Sequence, residues 1–241
     1  METTRQNGDP EGHASSGRPA GSGGPASSAG RPSSDGCPSG ERALAENELA
    51  ANPVQQFSGW FAEAVEAGLP EPNAMVLATT SAEGHTRCRT VLLKAHDDDG
   101  FVFYTNRTSR KGTDLAGNSW ACVLFPWYGL GRQVTIEGSV TALTTEQSEP
   151  YFHSRARGSQ IGAWASRQSR VIASRAELDE RVAELERRWP AGTEVPMPDF
   201  WGGYRLEPRI IEFWQSRESR LHDRLRYRKT AGGWAIERLS P

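Results

Sequence analysis

Between Ala74 and Thr105 the chain alternates short β-type runs with tight turns. The runs are Ala74–Thr80, Thr86–Lys94 and Phe101–Thr105; the turns are Ala82-Glu83-Gly84 and Asp97-Asp98-Asp99-Gly100. Connections this short permit only antiparallel pairing, because a parallel pair needs a crossover of roughly a dozen residues or more. The chain therefore builds a meander of hairpins and not a βαβ repeat. Ala121–Trp127 and Arg132–Leu143 read as two more strands, the second with a bulge at Gly138. Tyr204–Trp214 and Leu225–Leu239, turning at Gly232-Gly233, supply the last. Helical spacing occurs between these strands. Asn52-Pro53 is a cap followed by a first-turn proline, and Val54, Phe57, Trp60, Phe61 and Val65 follow on one face until Gly68. Ser109–Ala116 is a short helix. Thr145, with Ser148 and Glu149, opens another that runs to about Ser154. Arg175–Trp189 carries Leu178, Val182 and Leu185 as its apolar stripe, and Val195–Phe200 is a loop. Six to eight strands with few helices predict a mainly β fold, an antiparallel barrel closed or nearly closed, with peripheral helices.

Composition divides the chain. Residues 1–40 hold no Val, Ile, Leu, Phe, Trp or Tyr, and Gly, Pro and Ser make up more than half of them. Such a stretch cannot offset the entropy of ordering it, so residues 1–42 are expected to be a disordered tail and 43–241 one domain. Glu2, Asp9, Glu11 and Asp35 argue against reading the Arg5, Arg18 and Arg31 of the tail as a transit peptide. No apolar run approaches the length of a membrane span. Cys37, Cys88 and Cys122 make neither a disulfide framework nor a zinc pattern, so no metal is expected and a cytoplasmic setting is. A net charge of −2 gives no reason to expect nucleic acid.

The chemistry-bearing residues are cations at strand ends beside aromatics and hydroxyls. Arg89 and Lys94 bracket an apolar run, which also fits a surface strand with snorkelling ends. Arg110 and Lys111 stand where a helix begins and its N–H groups are free, a phosphate cradle or an ordinary charged loop. Tyr151 and Arg155 are one helical turn apart, with Ser159 nearby; this trio can hold a second phosphate or merely complement a helix end. Gln168 and Ser169 add polar groups. Arg220, His222 and Arg224 share a face if the segment is extended, close to Trp214; a solvated edge strand is the other reading. His153 falls off the Tyr151 face and reads as structural. No GxGxxG, P-loop, HExxH or GxSxG is present.

Nine blocks in order resemble the pyridoxamine/pyridoxine 5′-phosphate oxidase family: EPNAMVLAT (71–79), RTVLLK (89–94), FYTN-xx-SRK (103–111), LFPW (124–127), RQVxIEG (132–138), YFHSRxRxSQIGAWxSxQS (151–169), FWGGYR (200–205), IEFWQ (211–215) and RLHDRLRY (220–227). The resemblance implies an FMN-binding split barrel working as a homodimer, with FMN at the subunit interface. It implies that the FMN site is lined by Arg89, Thr90, Val91, Leu92, Leu93, Lys94, Tyr104, Thr105, Arg110, Lys111, Gln133, Gln168, Ser169, Trp214 and Arg224. Substrate phosphate falls to Lys94, Tyr151, Arg155 and Ser159, while Arg220, Leu221 and His222 hold the pyridine ring, Arg220 and His222 as the catalytic pair. The implied reaction oxidises pyridoxine or pyridoxamine 5′-phosphate to pyridoxal 5′-phosphate with dioxygen, releasing hydrogen peroxide. A phenazine-type flavin oxidase and a non-catalytic flavin- or pyridoxal-phosphate-binding protein are the alternatives. Two tensions stand. Arg89 and Lys94 have odd separation, which sends them to opposite faces of a regular strand. Gly36, Cys37, Pro38 and Ser39 occupy the place where many members carry an Arg-x-x-Tyr-like lid.

Overall fold

The computed structural model describes residues 43–241. The tail predicted for residues 1–42, and the lid position at 36–39, lie outside them. Among the described residues, nine strands form a single antiparallel sheet: β1 (Ala74–Thr80), β2 (Thr86–Leu92), β3 (Ala95–Asp97), β4 (Gly100–Asn106), β5 (Trp120–Trp127), β6 (Arg132–Ala142), β7 (Trp201–Gln215), β8 (Asp223–Thr230) and β9 (Gly233–Arg238). The sheet runs β2-β1-β5-β6-β7-β4-β3, and β8 pairs with β7 and β9 off this path. It curls into a half-barrel, so the antiparallel barrel with peripheral helices read from the hairpin pattern is the observed fold.

Strand β7 holds the two parts of the sheet together. Its first half pairs with β4 (Trp201↔Asn106 to Leu206↔Phe101), its second half with β8 (Ile210↔Arg228 to Gln215↔Asp223), and β6 follows it along almost its whole length. The β6–β7 register shifts at Glu137/Gly138, where the bulge was expected. The two backbones touch there: a Cβ on Gly138 would lie 1.9 Å from the Glu207 carbonyl oxygen.

Five α-helices are present among the described residues. α1 (Pro53–Glu66) begins as read, with the Asn52 side chain accepting from the Val54 N–H. It lays Phe57, Trp60 and Ala64 into the barrel, where the Phe57 ring meets Phe101 at 4.9 Å and Phe125 at 5.0 Å, and Trp60 meets Phe213 edge-on at 5.1 Å. Val65, expected on this face, is 54% exposed. α2 (Arg110–Gly117) is capped by Ser109. α3 (Thr145–Ser154) spans the residues expected and opens on a capping box made by Thr144 and Gln147; Ser148 is buried, its hydroxyl donating to the Thr144 carbonyl and accepting from Gly203 N–H. α4 (Arg157–Ala165) was not foreseen, because Gly158 and Gly162 mask its propensity. α5 (Arg175–Arg188) buries only Leu185 of its stripe, with Leu178 and Val182 packed at the margin. Phe152, Ile161, Ala165, Leu185, Val195 and Trp201 make a second, smaller core that fixes α3, α4 and α5 against the start of β7.

Glycine 138 supplies a direct check on the β6–β7 contact. Gly138→Ala is expected to cost about 3 kcal/mol in denaturant melts, because the clash is with backbone that cannot swing away. Gly158→Ala, in α4 with nothing within 4 Å of the added Cβ, is expected to be neutral or stabilising by about 0.5 kcal/mol. Equal midpoints for the two variants would contradict the register.

Candidate active site

A cavity of about 810 Å³ opens between β2, β4 and the α3–α4 pair. Arg89, Lys94, Lys111 and Arg155 line it, and among the described residues no Asp or Glu does. Four cations without a lining carboxylate suit an anionic ligand.

Each cation arrives by a distinct local device. β2 ends at Leu92, so Lys94 lies beyond the strand, on the segment before β3. The odd separation from Arg89 therefore imposes no opposite facing, and both residues line the cavity. The sequence run Thr86–Lys94 had been read as one strand; β3 was missed because His96 and Asp97 look like turn residues. Lys111 stands at the start of α2, 8% exposed, its ammonium bonded to Thr105 Oγ1 (3.1 Å), Ser109 Oγ (3.2 Å) and Gln168 Oε1 (2.6 Å). All three partners are neutral. Burial, with the nearby Arg89 charge, holds the Lys111 pKa down to about 8.

Arg155 follows α3 instead of continuing it: the helix ends at Ser154 and the chain turns into α4. The helical spacing of Tyr151 and Arg155 thus stops one residue short, yet the turn still delivers both to the cavity, with Ser159. The Arg155 guanidinium lies over the Trp201 ring (4.9 Å), and Nη2 donates to the Ser159 carbonyl (2.9 Å). Its Nη1 is buried without a hydrogen-bond partner among the described residues, as befits a donor awaiting an anion. Tyr104, Tyr151 and Trp201 stack behind it, Tyr104 on Tyr151 at 4.1 Å and on Trp201 at 5.4 Å. Lys94 Nζ stands 5.8 Å from the Tyr151 ring centre. Trp201 escaped the sequence reading; its position in the FWGG run, just before two glycines, was the available signal.

Thr90, Val91, Leu92, Tyr104, Thr105, Tyr151, Ser159 and Gln168 also line this cavity. Leu93 does not: it is 4% exposed and belongs to the barrel core. Arg110 and Ser169 line an adjoining cavity, the Ser169 hydroxyl accepting from the Arg110 N–H at 3.3 Å.

A second group gathers elsewhere. Gln133 pairs with Trp214 across β6–β7, and Trp214 with Arg224 across β7–β8. The His222 ring lies 4.5 Å from Trp214, and its Nδ1 accepts from the Arg217 N–H. Arg224 makes a two-point ion pair with Glu212. Arg220 and Leu221 are exposed. The extended reading of 220–224 fails here. Ser219 (φ 55°) and Arg220 (φ 60°) are both left-handed, and β8 begins only at Asp223. Two consecutive non-glycine residues in that region hold backbone strain of the kind concentrated at functional sites. Gln133, Trp214, Arg220, Leu221, His222 and Arg224 do not line the 810 Å³ cavity. Along β7, Trp201 lines the cavity and Trp214 belongs to the second group, 13 residues further on.

Comparison with known proteins agrees with this architecture. Residues 61–188 match the family model described as pyridoxamine 5′-phosphate oxidase, and residues 201–241 match that of the pyridoxine 5′-phosphate oxidase C-terminal dimerisation region. A pyridoxine/pyridoxamine 5′-phosphate oxidase of Frankia alni is 57% identical over 202 residues, covering 82% of this chain and 84% of its own. That of Acidothermus cellulolyticus is 55% identical, covering 82% and 90%. Among solved structures, PhzG from Burkholderia lata 383, in complex with tetrahydrophenazine-1-carboxylic acid, superposes with a TM-score of 0.79 at 33% identity, covering 85% of this chain and all of its own. A pyridoxamine 5′-phosphate oxidase-related, FMN-binding protein from Nostoc punctiforme shares the fold, with a TM-score of 0.61 at 15% identity and coverage of 77% and 97%. The chain belongs to the pyridoxine/pyridoxamine 5′-phosphate oxidase family.

Proposed function

We propose that this chain oxidises pyridoxine or pyridoxamine 5′-phosphate to pyridoxal 5′-phosphate, with FMN as cofactor and dioxygen as acceptor. Hydrogen peroxide is the co-product, and the amine substrate also consumes water and releases ammonia. The observation that carries this reading is the set of four cations around one cavity without a lining carboxylate. A cavity of about 810 Å³ has room for a flavin mononucleotide and a substrate ring together. The cations fall into two sets, suited to two phosphates. Arg89 and Lys111, with Thr105 and Gln168, suit the phosphate of FMN. Lys94 and Arg155, with Tyr151 and Ser159, suit that of the substrate. The unpartnered Arg155 Nη1 and the neutral partners of Lys111 fit phosphate oxygens.

Hydride acceptance and reaction with dioxygen are the chemistry that FMN supplies when bound. The protein's part is to bind, orient and stabilise charge. The Tyr104–Tyr151–Trp201 stack fixes the Arg155 fork. Arg220 and His222 hold the substrate's pyridine ring, with Arg220 favouring the negative charge that develops during the reaction. That none of Gln133, Trp214, Arg220, Leu221, His222 and Arg224 lines the cavity supports the two groups meeting across a homodimer: one copy contributes the cavity and its partner contributes Gln133, Trp214, Arg220, His222 and Arg224. The match to a C-terminal dimerisation region supports the same arrangement. No described helix is long and apolar enough to cross a membrane.

Purified protein is expected to be yellow and to consume oxygen on addition of either phosphate substrate; flavin binding without turnover of either would favour the phenazine-type alternative. Arg220→Ala is expected to lower kcat/KM by about a hundredfold or more while FMN stays bound; unchanged turnover would remove Arg220 from the reaction.

The pH dependence of cofactor binding follows from Lys111. A dianion stabilises its protonated form, whereas the empty site releases that proton at about 8. FMN affinity is therefore complete below about pH 8 and falls as pH rises through it, by up to about tenfold per unit, until the phosphate's own second pKa near 6 limits it on the acid side. Flavin fluorescence titrations of the apoprotein at pH 7 and pH 9 check this, and Lys111→Met is expected to flatten the profile. An affinity that rises between those pH values would contradict it.

A further inference from the structure

The strand face that carries Arg89 holds a buried relay that the functional reading does not use. Asp114, in α2, is 5% exposed, and Thr79, in β1, is 1% exposed. The Thr79 hydroxyl donates to Asp114 Oδ2 at 2.7 Å. Arg87 Nη1 donates to Asp114 Oδ1 at 3.0 Å, and Arg89 Nη2 stands 3.8 Å from Asp114 Oδ2. Arg89 Nη1 in turn donates to Thr79 Oγ1 at 2.7 Å and to the Leu77 carbonyl at 3.1 Å.

A hydroxyl has one proton. Thr79 gives it to Asp114, so the lone pairs of its oxygen are left to receive Arg89. The carboxylate thus sets the direction of the hydroxyl, and the hydroxyl sets the guanidinium. Arg89 spends its Nη1 group on the protein. Its Nε and Nη2 groups have no hydrogen-bond partner among the described residues, and the side chain lines the cavity. A buried Asp beside an anion site is otherwise a liability, since its charge opposes the ligand and its desolvation costs free energy. Here two arginines and a hydroxyl satisfy it, and it fastens α2 (whose first turn holds Lys111) to the strand that holds Arg89.

We propose that Asp114 and Thr79 are positioning residues that pre-set Arg89 for the phosphate end of the bound flavin. The inference rests on the reading of this cavity as the FMN site. A pre-set guanidinium loses little rotational freedom on binding, and its gain falls on the phosphate alone.

The test compares FMN with riboflavin, which lacks the phosphate, by fluorescence quenching on apoprotein. Thr79→Val keeps the shape and removes the hydroxyl. It is expected to weaken FMN about tenfold, the loss of roughly one charge-assisted hydrogen bond, while changing riboflavin affinity less than about twofold. Thr79→Ser is expected to restore FMN affinity to within about threefold of the unmodified protein. Asp114→Asn, read the same way, carries the test should Thr79→Val fail to fold. Unchanged FMN affinity in the folded variants would overturn the inference, and so would equal losses for FMN and riboflavin, the mark of a packing role. Failure of the unmodified protein to bind FMN would overturn the cavity reading itself, and this inference with it.

Discussion

Four cations around a cavity with no lining carboxylate are a debt that the fold must carry until a ligand arrives. Burial holds the Arg89, Lys111 and Arg155 pKa values below their ordinary ranges, the direction expected where like charges are desolvated together. The surrounding structure is arranged to sustain that state. Lys111 is fed by three neutral oxygens, Arg155 is stacked on Trp201, and Arg89 is tied to Thr79 and Leu77. Carboxylates are kept one layer back: Asp114 balances Arg87 and Arg89 from behind, out of the cavity. The near-zero net charge of the whole chain conceals this local surplus.

The sheet turns that charge into a site. The small core around Phe152, Ile161 and Trp201 seats α3 and α4 at one end of β7, and so sets Arg155 and Ser159 in the same cavity as Arg89 of β2 and Lys94 just beyond it. At the other end of β7, the turn with left-handed Ser219 and Arg220 precedes His222, whose imidazole lies beside Trp214. On the proposed reading, binding of phosphate and contact with the reacting ring fall to these two groups, and a homodimer is what brings them together. Strain at Ser219–Arg220 is tolerable because the flanking strands over-determine the turn.

Much of this was legible in the sequence because short turns leave little freedom. AMVLATT, followed by Ala-Glu-Gly and then a β-branched run, can only fold back on itself, and β1 falls on Ala74–Thr80 as read. Gly138 announced the bulge because only a residue without a side chain survives beside the Glu207 carbonyl. What escaped notice was governed by tertiary contacts. β3 is three residues long and exists through its pairing with β4. α4 contains two glycines and is stabilised by Ile161 and Ala165 in the second core. Arg220 and His222 look strand-like by alternation, yet the chain turns there at two positive φ values that no local pattern announces. Thr79 reads as an ordinary strand threonine until α2 is folded against it.

The central claim is that each active site draws on two chains. Co-expression of Arg155→Ala and Arg220→Ala chains under different affinity tags allows the mixed dimer to be isolated. If the cavity and the Arg220 turn meet across the twofold axis, that dimer holds one site with both defects and one with neither. It is predicted to regain about half of the unmodified turnover per dimer while both parent homodimers stay nearly inactive. A mixed dimer as inactive as its parents would contradict the shared site.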